Sequence, residues 1–217
     1  MNKDIKSKLV NLYWNYIATP IIRKQYIKSV RKTLKNQNPS ILSSNCIGGE
    51  IYNNLNIKFL SPTINLWFSE SDFLKLALKP EYYMEQELLF IDEPEKNYPV
   101  AMIDDVKINF LHFKTKEEAE QKWNERKKRI DYDNLYIIMC DLDLNDDEFI
   151  KFQEIDNCRR KIMFTTDPQR AQYKDVMQVK IYKEYSYVRN YAVNRLNGYR
   201  DFELFWDYIN WLNEEDK

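Results

Sequence analysis

Apolar residues recur along the chain with two different periods, and this pattern predicts a mixture of helices and strands. Near both ends the period is helical. In the N-terminal part, apolar residues lie on one helix face over residues 5–17 and again over residues 27–34, with an interruption at Pro20. In the C-terminal part, the helical period begins after Gly198. Short continuous apolar runs between the ends are typical of buried strands. We predict strands at residues 40–46, 58–60, 88–91, 100–113, 135–140, 161–165 and 179–182, with Asp104 and Asp105 interrupting the longest.

Polar residues mark where the helices between these strands begin. Three pairs have the spacing of a capping box, in which side chains satisfy backbone N–H groups at a helix start: Ser69 with Asp72, Thr115 with Glu118, and Asn145 with Glu148. The third of these helices lies between strands 135–140 and 161–165. This strand, helix, strand order predicts a right-handed parallel crossover.

These elements predict an α/β fold with a mixed, largely parallel, Rossmann-like sheet, flanking helices and a basic N-terminal helical arm. A chain of 217 residues, 44% of them apolar, can bury a sizeable core. We assign residues 1–38 to the arm and residues 39–217 to the α/β body. The body has room for two tightly joined subdomains, at about 39–114 and 115–217.

Charge is distributed unevenly between the arm and the body. Residues 1–35 hold nine basic side chains and one acidic, a net charge of +8, which leaves −9 on the rest of a chain whose total is −1. Such an arm can contact an anionic membrane as a basic amphipathic helix, or it can pack on the body with its lysines in solvent. We favour packing on the body, since solvated helix faces are commonly charged. The acidic body disfavours nucleic acid as a partner.

Cysteine usage and hydropathy predict a cytoplasmic protein. The three cysteines, Cys46, Cys140 and Cys158, are odd in number and widely spaced, which excludes a disulfide framework and a CxxC metal or redox site. The N-terminus has no cleavable apolar leader, and no apolar run approaches the roughly 20 residues that span a bilayer. Membrane contact is therefore expected only peripherally, through residues 1–35.

The first candidate site surrounds a pair of glycines, Gly48 and Gly49, in a chain that has only three. They follow a predicted strand, so we expect a sharp turn with positive φ, a close backbone approach, or a pocket above them. Ligands of open α/β sheets sit at the carboxyl ends of strands. The predicted ligand-binding residues are Ser44, Asn45, Gly48, Gly49, Ser61, Thr63 and Asn65. A tight turn with polar capping residues would show the same pattern.

The candidate catalytic residues are Cys46 and His112, with Asp104 or Asp105 as a carboxylate partner. Cys46 would act as a nucleophile only if its pKa were lowered, and otherwise it is a small buried hydrophobic residue. His112, the single histidine, could serve as a general base or fill a structural role. If strands 40–46 and 107–113 are parallel neighbours, Asn45, Cys46 and His112 line one pocket.

A third group of polar residues follows the two strands of the predicted crossover. Asp141 and Asp143 come after residues 135–140, and Thr165, Thr166 and Asp167 end or follow residues 161–165. Acidic and hydroxyl groups at this position can hold a metal-bound phosphate or a ribose. The DxD spacing also occurs in the metal motif of sugar-nucleotide glycosyltransferases, but it is frequent in acidic loops. The sequence identifies no metal ligand set and no cofactor.

Five ordered blocks of sequence resemble a bacterial family of unknown function whose members carry the name exopolysaccharide biosynthesis protein. They are SSNCIGGEIYNNL, then SPTINLWF with DFLKL, YPVAMIDDVKINFLHF, EEAEQKWNERKKRI with DNLYII, and DYINWLN. The resemblance implies a two-part α/β fold and a link to surface polysaccharide, and carries over no catalytic residue. The chain departs from the family at Ile47, where an aromatic is common, and at Phe113, where Tyr is common.

Two functions are consistent with these observations. The first is an enzyme, such as a transferase, that modifies or transfers sugars in exopolysaccharide synthesis and binds a nucleotide sugar or glycan. The second is a non-catalytic binding or assembly factor that holds a polysaccharide machine at the membrane surface through the basic arm.

Overall fold

The computed structural model describes residue 13, residues 18–179 and residues 198–214. The helices are α1 (Thr19–Thr33), α2 (Ile47–Leu55), α3 (Glu70–Leu78), α4 (Pro80–Glu85), α5 (Lys116–Lys127), α6 (Asp146–Gln153), α7 (Asp201–Phe205) and α8 (Tyr208–Asn213). The strands are β1 (Ser40–Ser43), β2 (Leu89–Ile91), β3 (Val100–Ile103), β4 (Val106–Asn109), β5 (Leu135–Asp141), β6 (Arg160–Thr165) and β7 (Val176–Gln178). Short 3₁₀ turns lie at Tyr132–Asn134 and Arg170–Gln172.

A four-stranded parallel sheet forms the centre of the molecule, with strand order β1-β5-β6-β7. β5 is buried at every position because both of its faces are covered, which explains its continuous apolar sequence. Where these two strands end, Asp141 of β5 is the register partner of Thr165 of β6. The predicted α/β fold with a largely parallel sheet and flanking helices is confirmed.

The predicted helix starts are also confirmed. Asn145 and Glu148 form a complete capping box at α6, and the hydroxyl of Thr115 accepts a hydrogen bond from the backbone N–H of Glu118 at α5. Ser69 caps α3 in the same way. These local signals set the strand, helix, strand order β5-α6-β6, whose two strands run parallel as expected.

The interruption expected at Asp104 and Asp105 is present, but the expected placement of residues 107–113 beside strand 40–46 is wrong. The chain reverses at Asp104, which has a left-handed φ of 51°, and β3 and β4 form an antiparallel hairpin. With β2 they make a separate three-stranded sheet in the order β2-β3-β4. The strand expected at 58–60 is absent from this described segment. The edge strand expected at 179–182 lies earlier, as β7, and residues 180–182 are outside the described chain.

Two apolar cores cover the two faces of the parallel sheet, as the alternation of side chains along a strand requires. On β5, Ile137 and Met139 face the core shared with the antiparallel sheet and with α3, α5 and α6, whereas Tyr136 and Ile138 face α1, α2, α7 and α8. β1 pairs with β5, so the sheet draws strands from both sides of the boundary expected near residue 114.

The two ends of the described chain pack together on the second core. Pro20 lies in the first turn of α1, where its missing N–H is tolerated, and Val30 of α1 is buried. The single helix expected after Gly198 is divided into α7 and α8. Within the described ranges, no helix combines the length and apolarity needed to cross a membrane. The part of the predicted arm before residue 18, apart from residue 13, lies outside the described residues.

Candidate functional site

Three parallel strands, β1, β5 and β6, end at one edge of the sheet, and side chains bind their ends together. The Ser44 hydroxyl, just after β1, accepts a hydrogen bond from the backbone N–H of Cys140 at 3.2 Å. The amide of Asn45 donates to the Cys140 Sγ at 2.9 Å. The loops that follow the three strands therefore form one continuous surface, which we call the carboxyl edge.

Asp141 is the anchor of the carboxyl edge. Its carboxylate is buried and accepts hydrogen bonds from the Thr165 hydroxyl at 2.7 Å and from Nη1 of Arg170 at 2.8 Å. Arg170 also donates to the carbonyl of Leu144 and stacks on the ring of Phe149. The hydrogen bonds of Asp141 thus join the loops after β5 and β6. The other acid of the DxD spacing, Asp143, is exposed.

Glu70, at the first position of α3, reaches across to the loop after β5. Its carboxylate accepts hydrogen bonds from the backbone N–H of Leu142 at 2.7 Å and from that of Asp143 at 2.6 Å. Burial raises the pKa of the Glu70 carboxyl to about 7, and nearby Asp141 and Asp143 push it the same way, against the two backbone hydrogen bonds. Glu70 therefore changes its protonation state near neutral pH.

The sequence contained no local sign of this role for Glu70. It looks like an ordinary acidic residue in a first helical turn, and its contacts are 72 and 73 positions away. Among the residues that the structure describes, no group of three or more His, Cys, Asp or Glu side chains could hold a metal ion.

The raised pKa of Glu70 predicts a pH dependence of stability. The folded-state pKa of about 7 lies above the ordinary value of 4.5, so the unfolded chain loses this proton first. The contribution of Glu70 to the free energy of unfolding must then fall as the pH rises from about 4.5 to about 7. Urea unfolding across this range should show the free energy of unfolding of the wild type falling relative to that of Glu70→Gln as the pH rises. An unchanging difference would contradict the assignment, and exposed Glu81→Gln serves as the control.

Two predicted ligand-binding residues, Ser61 and Thr63, instead close the free edge of β1. Both are fully buried. The Thr63 hydroxyl accepts a hydrogen bond from the backbone N–H of Ser43 at 3.0 Å, and the Ser61 and Thr63 hydroxyl oxygens are 3.1 Å apart. The Tyr52 hydroxyl likewise accepts a hydrogen bond from the backbone N–H of Ile41. These hydroxyls satisfy strand amides that have no neighbouring strand.

Thr63→Val tests this closure of the sheet edge. Val has nearly the shape of Thr but cannot accept a hydrogen bond, so the buried N–H of Ser43 loses its partner. We expect the free energy of unfolding to fall by about 1–2 kcal/mol in urea denaturation. Thr63→Ser keeps the hydroxyl and loses only the buried methyl group. If Thr63→Val is as stable as the wild type, the hydrogen bond has no such role.

Gly48 and Gly49 lie inside α2 and are buried, and neither has positive φ, so the expected positive-φ turn is wrong. The expected close approach is confirmed. A Cβ added at Gly48 would lie 2.7 Å from the Cβ of Ser43, and one at Gly49 would lie 3.1 Å from Cγ2 of Ile64. Asn65, with a left-handed φ of 66°, is half-buried beside Gly49. The glycines allow α2 to pack against β1 and the loop before α3.

Cys46 and His112 belong to different sheets, so the expected parallel neighbours are not formed. Cys46 follows β1 and is half-buried, and burial together with Glu50 raises the pKa of its thiol, which is the reverse of what a nucleophile requires. His112 is exposed in a turn after β4, closed by a hydrogen bond from the N–H of Phe113 to the carbonyl of Phe110.

Asp104 and Asp105 lie at the other end of β4, in the hairpin turn. They accept hydrogen bonds from the hydroxyls of Tyr82 and Tyr83 at 2.7 and 2.8 Å, and Asp105 also pairs with Lys75. These contacts tie the hairpin to α3 and α4. The predicted partnership of His112 with either aspartate thus has no support in the geometry.

Among the predicted ligand-binding residues, Asn45 lies at the carboxyl edge with a partly exposed side chain.

Comparison with other proteins gives two matches. Residues 17–213 match the family described as Domain of unknown function (DUF1919). A protein of Haemophilus influenzae, described as an uncharacterized protein, is 32% identical over 187 residues, which cover 86% of this chain and 89% of the relative. The resemblance to a bacterial family of unknown function is confirmed.

Proposed function

The chain belongs to the DUF1919 family, whose description assigns no reaction, and we therefore propose a function from the site. We propose that the protein binds a sugar substrate at the carboxyl edge. It then modifies or transfers this sugar in bacterial exopolysaccharide synthesis. The observation that carries the proposal is the convergence of three strand ends: Ser44 and Asn45 join the end of β1 to β5. Asp141, Thr165 and Arg170 join the ends of β5 and β6. Groups held on such a rigid frame can bind a ligand precisely enough for chemistry.

The edge presents groups that suit sugar hydroxyls. The Asp143 carboxylate is exposed and the Thr166 hydroxyl is half-buried, and neither side chain is engaged by another described residue. Carboxylates accept hydrogen bonds from hydroxyl groups, and a threonine hydroxyl both donates and accepts. Adjacent strands are about 4.8 Å apart, so groups on neighbouring loops can contact one sugar ring.

Glu70 is the group that we expect to move a proton in this reaction. Its pKa of about 7 allows it to donate or accept a proton at neutral pH, and Asp143 supplies a second, exposed carboxylate on the loop that Glu70 contacts. Two carboxyl groups in different environments are the usual equipment for acid and base catalysis on sugars. In this proposal Glu70 replaces His112, which the sequence suggested as the base.

The link to exopolysaccharide rests on the resemblance of the five sequence blocks. The alternative role, a non-catalytic factor that assembles a polysaccharide machine at the membrane, makes a different prediction. An assembly factor would bind without turning over any sugar, whereas the proposed enzyme converts its ligand.

A thermal-shift and calorimetry screen tests the proposal. Nucleotide sugars, nucleotides and free sugars are offered with and without Mg²⁺ or Mn²⁺, and a specific ligand at a hundred times its Kd should stabilise the fold by about 2.7 kcal/mol. Binding should weaken at least tenfold in Asp143→Asn. It should be unchanged in Asp156→Asn, an exposed aspartate in the loop before β6, at the opposite edge of the sheet. No binding by any sugar compound, or equal loss in both variants, would overturn the proposal.

A further inference from the structure

Helix α1 carries charge of one sign only. Its 15 residues include five basic side chains and no acidic one, although the chain as a whole has a net charge of −1. The five are Arg23, Lys24, Lys28, Arg31 and Lys32. The contacts of these five side chains show which of them hold the helix in place and which face outward.

The two arginines serve the fold. Arg23 forms an ion pair with Glu203, whose side chain is fully buried, and its guanidinium also binds the side chain of Asn54. Nε of Arg31 donates to the carbonyl of Asn54 at 2.7 Å. Arg23 therefore attaches α1 to α2 and α7, and Arg31 attaches it to α2.

The three lysines have no such role among the described residues. Lys24, Lys28 and Lys32 are spaced four residues apart, so they lie along one face of α1. All three are exposed, and no other residue in the described parts of the chain pairs with them. The opposite face of the helix carries Val30, which is buried in the core. We call this outward row the lysine face.

We propose that the lysine face docks the protein onto an anionic membrane surface. A 15-residue helix is about 22 Å long, and lysines on successive turns can contact several lipid headgroups at once. Ile21, which is 52% exposed, lies on the same side one turn before the first of them and can enter the headgroup region. The net charge of −9 on residues 36–217 repels an anionic surface and so orients the protein with α1 toward it.

A membrane fits this face better than a nucleic acid does. Arginine, with its two-pronged guanidinium, is well suited to specific base contacts, and both arginines of α1 donate to groups within the fold. Lysines on flexible stems suit a diffuse layer of headgroups. This inference is independent of the proposed sugar chemistry, which concerns the carboxyl edge.

Vesicle co-sedimentation tests the proposal with the full chain. Vesicles of phosphatidylcholine with 30% phosphatidylserine should retain the wild type at low salt, and binding should fall steeply as salt rises. The triple variant Lys24→Gln, Lys28→Gln, Lys32→Gln should bind about 100-fold more weakly, since each lysine near such a surface strengthens binding about fivefold. Vesicles of pure phosphatidylcholine should retain neither protein.

A second triple variant controls for the loss of charge itself. It replaces three exposed lysines that lie elsewhere on the surface, Lys128, Lys151 and Lys174, by Gln. This control should bind like the wild type, and circular dichroism should show both variants folded. Equal losses in the two variants, retention by neutral vesicles, or tighter binding to an RNA or DNA duplex than to the vesicles would overturn the proposal.

Discussion

Replacing Arg170 by Met is expected to lower the free energy of unfolding by about 3–5 kcal/mol at neutral pH. The Asp141 side chain is 3% exposed, and Arg170 is its cationic partner in the structure. The variant leaves that carboxylate buried with the Thr165 hydroxyl but without a compensating charge. An uncompensated buried charge is among the most destabilising changes that a single substitution can make.

Two further variants separate this effect from a general loss of packing. Asp146→Asn removes a second ion pair of Arg170, but the Asp146 side chain is 97% exposed, so we expect a loss of at most about 1 kcal/mol. Adding Asp141→Asn to Arg170→Met removes the buried charge and should recover part of the lost stability. If the double variant is no more stable than Arg170→Met in urea denaturation, the buried charge is not the cause.

Gly48→Ala is expected to lower the free energy of unfolding by about 2 kcal/mol, the upper end of the overpacking cost less the gain in helix propensity. The new Cβ would lie 2.7 Å from the Cβ of Ser43 and 3.1 Å from Cδ1 of Ile64, so α2 would have to move away from β1. Overpacking of this kind costs about 1–3 kcal/mol or more, and the better helix propensity of Ala offsets only about 1 kcal/mol of it.

Gly49→Ala, in the same helix, is the matched control for this clash. Its new Cβ would meet the side-chain atoms Cγ2 of Ile64 at 3.1 Å and Oδ1 of Asn65 at 3.3 Å, which can yield by a few tenths of an ångström. We expect a loss below about 1 kcal/mol, measured by urea denaturation. If both variants are equally stable, the close approach of α2 to β1 does not constrain position 48.

Local sequence signals predicted the part of the fold that depends on local structure. The capping pair Asn145 and Glu148 and the continuous apolar run of β5 each act within a few residues, so they identify α6 and β5 without knowledge of the partners. The hairpin was missed because an Asp–Asp pair is compatible with an interruption as well as with a reversal. The left-handed φ of Asp104 decided between them.

The site could be predicted only in part, because its contacts join distant positions. Scarce glycine correctly marked a close approach, but the approaching groups were α2 and β1 rather than a ligand. The hydroxyl of Thr63 was interpreted as a ligand contact, since a sequence cannot show that it accepts a hydrogen bond from the N–H of Ser43 at the sheet edge. Glu70 was missed altogether, because its partners, Leu142 and Asp143, are more than 70 positions away.

The most direct test of the proposed sugar site is a titration followed by NMR, with ¹⁵N-labelled full-length protein and the sugar compound that binds best in the screen. If the sugar binds at the carboxyl edge, the backbone amides of Leu142, Asp143 and Thr166, which lie where Glu70 makes its contacts, should show saturable shifts. Amides of the β3–β4 hairpin, on the separate sheet, should not move. Saturable shifts centred on that hairpin or on the turn that holds His112, with none at the carboxyl edge, would contradict the proposed sugar site.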